Sequence, residues 1–107
     1  MQKEFIQVTT TCETRADADR IARTLVEREL AACVQVFGPI ESTYRWQGNI
    51  EKAQEWICFI KTKRELYADL EQVIATIHPY DTPEIIAIAI VAGSERYLNW
   101  LAEAVRT

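Results

Sequence analysis

The residues best suited to chemistry in this sequence are concentrated in one short stretch, residues 77–90. It holds the single histidine of the chain, His78, two of the three prolines, and a run of apolar residues that opens with Glu84. Proline lacks the N–H donor of a helix and biases the preceding residue toward an extended conformation, so a helix is predicted to end at His78. We expect a stiff, extended connector from Pro79 to Pro83 that leads into a buried strand and fixes the polar groups around it. Such groups suit a binding site, although an ordinary helix-to-strand turn uses the same residue types.

Histidine and cysteine offer a base, a nucleophile or metal ligands. His78 is the one candidate base, and no serine motif marks a partner for it, so the sequence assigns no catalytic residue. A pair of Cys12 with His78 is conceivable because strand ends can meet, but no reactive-cysteine motif accompanies it. A metal site stays open, since imidazole and thiolate suit copper and zinc, and a symmetric oligomer could bring copies of His78, Cys12 or Asp81 together.

The three cysteines are an odd number at wide spacing, each beside apolar or β-branched residues. This pattern favours buried thiols over a disulfide framework or a zinc knuckle. The residues concerned are Cys12, Cys33 and Cys58.

The sequence has no recognisable nucleotide-binding loop, and nucleic acids are disfavoured as partners. The three glycines are scattered, so the sequence has neither a phosphate-binding loop nor a dinucleotide fingerprint. RNA recognition motifs present aromatic residues on one face of their third strand, whereas Trp56 and Phe59 differ in parity and face opposite sides. The net charge of −4 would also repel a phosphate backbone, so we expect no nucleic-acid partner.

Length and composition fit one soluble globular domain covering residues 1–107. The chain is 49% hydrophobic and 26% charged, both ordinary values. No apolar segment is long enough to span a bilayer and no signal peptide is recognisable, so we expect no membrane partner and a cytoplasmic location.

Apolar periodicity divides the chain into alternating strands and helices. Strands are predicted near residues 5–12, 30–46 with a bulge or bend at Gly38-Pro39, 50–61 and 84–91, and helices begin at Thr14, Thr62 and Ser94. Thr62 with Glu65 three residues later has the spacing of a helix capping box. The order predicts an α+β fold, a ferredoxin-like split β-α-β-β-α-β sandwich with a long β2-β3 hairpin and a C-terminal helix.

The long hairpin predicts self-association. Each arm is about twice the usual strand length of roughly 5–6 residues, so its tip must overhang the helices. The overhang carries Tyr44, Trp46 and Ile50, and an exposed apolar ribbon promotes aggregation unless another copy of the chain covers it. We expect a homo-oligomer, with the number of subunits left open by these residues.

Three sequence blocks, at residues 30–34, 42–51 and 78–85, resemble the CutA divalent-cation-tolerance family. The third reads His-Pro-Tyr-Asp-Thr-Pro-Glu-Ile, and with Tyr-Leu-Asn-Trp-Leu at 97–101 it is the most specific. The resemblance implies a homotrimer with interlocking hairpins, like the nitrogen-regulatory PII proteins. It also implies a link to tolerance of copper and other divalent cations, with no established catalytic activity and no required cofactor. Of the copper ligands proposed in such relatives only His78 has a match here, so His78 is the implied metal ligand.

By analogy with the PII architecture, a ligand would bind in clefts between subunits. The expected cleft residues combine aromatic walls with one cation and one carboxylate: Tyr44, Trp46, Lys61, Tyr80 and Glu84. The same residue types also lock large interfaces together, so this alternative stays open. Two functions follow: cation tolerance through a metal or an intersubunit ligand, and a small-molecule sensor or signalling module in which metal has no direct part.

Overall fold

The computed structural model describes residues 4–107, which form four strands, three α-helices and one 3₁₀ turn. In chain order these are β1 (Phe5–Cys12), α1 (Arg15–Glu27), β2 (Cys33–Trp46), β3 (Asn49–Lys63), the 3₁₀ turn (Arg64–Leu66), α2 (Tyr67–Ile77), β4 (Ile86–Ile90) and α3 (Glu95–Ala104). The sheet order is β2-β3-β1-β4, and all neighbours are antiparallel. The predicted α+β class and the split β-α-β-β-α-β order are confirmed, together with the long hairpin and the C-terminal helix.

The main core lies between one face of the sheet and helices α1 and α2. Successive side chains of a strand alternate between faces, and even-numbered residues of β1 and β3 point to this core, among them Val8 and Ile60, both fully buried. The helices contribute the fully buried residues Ala18, Ile21, Leu25, Leu70 and Ile74. Burial of each large aliphatic side chain contributes about 1.5–3 kcal/mol, so this face holds the fold together.

Helices α1 and α3 both begin at a hydroxyl side chain. Thr14 Oγ1 accepts the N–H of Asp17 at 3.1 Å, and Ser94 Oγ accepts the N–H of Tyr97 at 3.3 Å, which confirms both predicted N-caps. Within residues 4–107, no helix has both the length and the apolar character needed to cross a membrane.

The predicted capping box at Thr62 is wrong. Thr62 is a residue of β3, and its buried hydroxyl donates to the carbonyl oxygen of Leu30 at 2.6 Å. The residue that precedes the 3₁₀ turn is Lys63, which makes no side-chain capping bond. Thr62 therefore satisfies a carbonyl of the loop before β2 instead of starting a helix.

The β2-β3 hairpin extends well beyond the rest of the sheet. Its arms have 14 and 15 residues, and the turn residues Gln47 and Gly48 both have positive φ, as a two-residue type I′ turn requires. The last pair between β1 and β3 joins Cys12 to Trp56, so beyond it β3 pairs with β2 alone. We call this two-stranded part, residues 40–55, the ribbon. It lengthens the molecule to 46 Å against 25 and 22 Å in the other directions.

A bulge interrupts β2 at the root of the ribbon. The pairing register shifts between Phe37 and Ile40, which confirms the irregularity predicted at Gly38-Pro39. Gly38 lies directly against the indole of Trp56, where a Cβ would approach ring atoms to 2.8 Å. Glycine is therefore required there for close packing.

The bulge also decides which way the tip aromatics face. Before the bulge, odd-numbered residues of β2 pair with odd-numbered residues of β3, as Phe37 does with Ile57. Beyond the bulge, even-numbered residues of β2 pair with odd-numbered residues of β3, as Tyr44 does with Glu51. The extra residue thus brings Tyr44 and Trp46 to the same sheet face as Phe37, away from the core.

The expectation that the fourth strand is buried is wrong for the single chain. β4 is a five-residue edge strand that pairs with β1, and Ile86 and Ile88 are 53% and 59% exposed. By strand alternation they point away from α1 and α2. We call the sheet face that carries Phe37, Ile57, Phe59, Ile86 and Ile88 the open face.

Candidate functional site

The connector after α2 places the ring of His78 beside the end of β1. His78 is 7% exposed, and its Nε2 lies 2.8 Å from the carbonyl oxygen of Thr11. The backbone N–H of Tyr80 donates to Nδ1 at 3.1 Å. Because Nδ1 accepts this bond, a neutral ring carries its proton on Nε2 and donates it to Thr11. Both ring nitrogens are therefore engaged within the chain.

The conceivable pair of Cys12 and His78 does form, with Sγ at 3.7 Å from Nε2. Cys12 and Cys58 are both buried, and their side-chain hydrogen bond lowers the pKa of Cys12 although burial opposes this. The same bond, with burial, raises the pKa of Cys58. Since the nearer nitrogen of His78 already holds a proton, it is not placed to take one from the thiol.

Tyr80 connects His78, and through it the end of β1, to β3. Its hydroxyl donates to Glu55 Oε2 at 2.8 Å, and its ring lies 4.8 Å from that of His78 at an interplanar angle of 47°. Desolvation raises the pKa of Tyr80, and the neighbouring Glu55 carboxylate raises it further. Tyr80 therefore stays a neutral hydrogen-bond donor at neutral pH.

The other predicted cleft residues are spread over the molecule. Tyr44 and Trp46 are 44% and 52% exposed on the ribbon, and Glu84 is exposed two residues before β4. Lys61 lies at the far end of β3, where its Nζ donates to Gln35 Oε1.

Within one chain these residues cannot form a single cleft. Lys61 is ten residues along β3 from Glu51, the partner of Tyr44, which corresponds to about 33 Å at the usual rise of a strand. A site that contains both Lys61 and Tyr44 needs more than one copy of the chain, so the cleft remains a prediction about an assembly.

The surroundings of His78 in a single chain do not fit a metal ion. Within residues 4–107, no three or more His, Cys, Asp and Glu side chains lie together in a way that could hold one. A metal at either nitrogen of His78 would also displace an existing hydrogen bond. His78 as a ligand stays a prediction that depends on donors from further copies.

Comparison with known proteins gives one consistent family. The model of the CutA1 divalent ion tolerance protein family matches residues 6–104, nearly the whole chain. This chain belongs to the CutA1 divalent ion tolerance family. The resemblance seen in the sequence is thereby confirmed.

Relatives of the CutA1 family with high identity come from bacteria and eukaryotes. The chain is 42% identical over 86 residues to the divalent-cation tolerance protein CutA of Thermus thermophilus, covering 80% of this chain and 84% of the relative. It is 45% identical over 94 residues to the CutA homolog of Danio rerio, covering 88% of this chain and 63% of that protein. It is 38% identical over 101 residues to the chloroplastic CutA of Arabidopsis thaliana, covering 94% of this chain and 56% of that protein. The chain thus spans little more than half the length of these two eukaryotic relatives.

Solved CutA1 structures have the same fold over the full chain. CutA1 from Shewanella sp. SIB1 is 39% identical, with a TM-score of 0.95 and complete coverage of both chains. CutA1 from Oryza sativa is 35% identical with a TM-score of 0.94, over 96% of this chain and 94% of that one. The overhanging hairpin described above therefore lies within a fold that the CutA1 family shares.

Two residues that bind His78 or Tyr80 were missed by sequence reasoning. Thr11 contributes through its backbone carbonyl, which no side-chain pattern reveals. Glu55 is 8% exposed, and its single sequence signal is a charge directly before the apolar run that starts at Trp56. The residue that binds the Glu55 side chain, Tyr80, is 25 residues away in the chain.

Proposed function

We propose that the protein contributes to divalent-cation tolerance as a non-enzymatic homotrimer with ligand-binding clefts between its subunits. The observation that carries this is the pair of exposed aromatic residues Tyr44 and Trp46 on a ribbon in which β2 and β3 pair with each other alone. They share a face with Phe37, which is 61% exposed, and the open face continues to Ile86 and Ile88 on the edge strand. Exposed apolar surface of this extent favours burial against further copies of the chain.

The same geometry supports the proposed cleft. Trimer packing would bring the ribbon of one subunit to another, so Tyr44 and Trp46 can meet a distant Lys61 or Tyr80 of a neighbour. Aromatic walls with one ammonium and one carboxylate suit a small polar ligand or a hydrated cation. The family name supports a role linked to divalent ions, with copper as the first metal to test.

A second candidate is a small-molecule sensor or signalling module in which metal has no direct part. The engagement of both nitrogens of His78 within the chain favours it, because a direct metal bond there would cost a hydrogen bond. We also propose a cytoplasmic location, supported by three free cysteines, which suit a reducing compartment.

The assembly is tested by size-exclusion chromatography with light scattering at micromolar concentration. We expect the mass of three chains, and a stable monomer would overturn the proposal. Trp46→Ala is expected to weaken assembly, whereas Trp100→Ala, on a tryptophan of similar exposure in α3, serves as the matched control. A Trp46→Ala trimer that assembles normally but loses ligand binding would assign Trp46 to the cleft instead of to the trimer contacts.

The ligand is tested by calorimetry on the purified assembly with copper(II), zinc and a panel of nucleotides. Saturable binding of copper(II) supports the first candidate, and binding of a nucleotide with no heat from either metal supports the second. His78→Ala discriminates within the first: unchanged copper affinity would remove His78 as a ligand.

A further inference from the structure

Glu55 lies at the point where the ribbon leaves the sheet. It is the first residue of β3 beyond the last pair with β1, and it pairs with Ile40, the first residue of β2 after the bulge. A two-stranded ribbon is marginally stable on its own, so its direction depends on whatever supports this root.

The carboxylate of Glu55 is buried in an unusual way. It is 8% exposed, and it takes part in none of the ion pairs among residues 4–107. A buried charge without a cation needs strong hydrogen bonds, and the hydroxyl of Tyr80 supplies one at 2.8 Å. The position of Tyr80 is therefore coupled to that of the ribbon root.

Tyr80 is in turn held from the other side. Its N–H is bound to Nδ1 of His78, whose Nε2–H is bound to the carbonyl of Thr11 in β1. Proline on each side, Pro79 and Pro83, restricts the backbone of the connector. A continuous series of hydrogen bonds thus runs from β1 through His78 and Tyr80 to β3, and it reaches β3 one residue beyond the last pair with β1.

We propose that Glu55 and His78 are positioning residues that act through Tyr80 to fix the direction of the ribbon. This proposal rests on the proposed function in one respect: the ribbon so directed carries Tyr44 and Trp46 to the neighbouring subunit. The series Thr11–His78–Tyr80–Glu55, which we call the strap, also places the ring of Tyr80 for the predicted cleft. Loss of the one phenolic oxygen should loosen the ribbon while the helix-covered core stays intact.

The test is hydrogen–deuterium exchange, read by mass spectrometry on peptides that cover the ribbon and the connector. Tyr80→Phe keeps the ring and removes the hydroxyl. The matched control is Tyr67→Phe, which removes a hydroxyl bound to Glu71 at 3.2 Å on the exposed side of α2. We expect amides at residues 49–55 to exchange about tenfold faster or more in Tyr80→Phe and to be unchanged in Tyr67→Phe.

Two further variants separate positioning from simple stability. Glu55→Gln keeps an acceptor for Tyr80 without the charge, so its effect on ribbon exchange should be smaller than that of Tyr80→Phe. It also serves as the second variant if Tyr80→Phe fails to fold. His78→Asn can still accept the N–H two residues on, so it should keep the Tyr80 amide protected while losing the link to Thr11.

The proposal is overturned if ribbon exchange in Tyr80→Phe stays within twofold of both the wild type and Tyr67→Phe. It is also overturned if exchange rises equally in the core strands, which would show a general loss of stability. Light scattering on the same samples keeps the two proposals apart. A monomeric wild type refutes the trimer but leaves the exchange comparison valid, and a trimer with unchanged ribbon exchange refutes the strap alone.

Discussion

The two halves of β3 lie in different environments, one in the core of the chain and one in the ribbon. Comparing them separates residues that stabilise the fold from residues that are available for assembly. From Trp56 to Lys63 it pairs with β1, with β2 on its other side from Ile57 to Lys61, and Ile60 is fully buried beneath the helices. From Asn49 to Glu55 it pairs with β2, and Ile50 is 68% exposed. Apolar residues of the first stretch are stabilised by their own chain, whereas those of the second gain stability when another surface covers them. One strand therefore supplies both the core and the proposed interface.

The largest effect is expected from truncation of the buried half of this strand. Ile60→Ala should lower the free energy of unfolding by about 2–5 kcal/mol, because it removes buried methyl groups and leaves a cavity. Ile50→Ala, the same change on the same strand, should alter the intrinsic stability of the chain by less than about 0.5 kcal/mol. Urea denaturation followed by circular dichroism measures both.

The dependence of stability on protein concentration distinguishes Ile50→Ala from Ile60→Ala further. Association stabilises a folded chain by mass action, so any loss caused by Ile50→Ala should depend on concentration. The loss caused by Ile60→Ala should be the same at every concentration. If both variants lost the same free energy of unfolding at every concentration, the ribbon would be part of the core of the single chain. That result would contradict the difference drawn between the two halves of β3.

The bulge at the boundary of the two environments is the next point to test. Gly38→Ala places a Cβ at 2.8 and 2.9 Å from two ring atoms of Trp56, a rigid neighbour, and should cost about 1–3 kcal/mol. Gly93→Ala is the control, because its new Cβ would meet the flexible side chain of Leu98 at 3.1 Å. Thermal unfolding of the two variants should rank Gly38→Ala well below Gly93→Ala.

A smaller effect is expected at the buried end of β3, where Thr62 binds Leu30. Thr62→Val keeps the shape of the side chain but leaves the carbonyl oxygen without its 2.6 Å partner, a loss of about 1 kcal/mol. Glu65→Ala removes no capping box, but it takes away the carboxylate that lies 3.8 Å from Nζ of the buried Lys63, so any loss of stability should come from this ion pair. If Glu65→Ala remained as harmful as Thr62→Val in the same denaturation assay when Lys63 was also replaced by Met, a capping role for Glu65 would have to be restored.

Local sequence patterns predicted the elements well because periodicity and caps are local properties. The apolar stripe of α1, the cap at Thr14 and the turn at Gln47-Gly48 all depend on residues within a few positions of one another. The same reasoning failed at Thr62, since a Thr-x-x-Glu spacing is identical whether the hydroxyl starts a helix or meets a distant carbonyl. It also failed for β4, because an apolar run does not reveal whether its strand lies in the centre or at the edge of a sheet.

The candidate site was predictable only in part. The end of α2 before His78-Pro79 could be predicted, because proline restricts the residue before it, but the expected extended connector is wrong, since residues 79–82 bend. The pair of Cys12 and His78 was one conceivable arrangement that the sequence could not select. The bond between Tyr80 and Glu55 could not be predicted, because nothing in either segment specifies the other. The choice of Lys61, Glu84 and the ribbon aromatics as cleft residues stays a prediction, since one chain holds them far apart.

By itself the sequence determined the series of strands and helices, their order, and a hairpin too long for one subunit to cover. These follow from hydrophobic period, turn chemistry and chain length, all of which act over short distances. The tertiary structure decided which face each side chain occupies: one extra residue in β2 turns Tyr44 and Trp46 to the open face, and the closing of the sheet brings Glu55 to Tyr80. The first depends on how the whole of β2 pairs with β3, and the second joins residues 25 positions apart, so local sequence patterns specify neither.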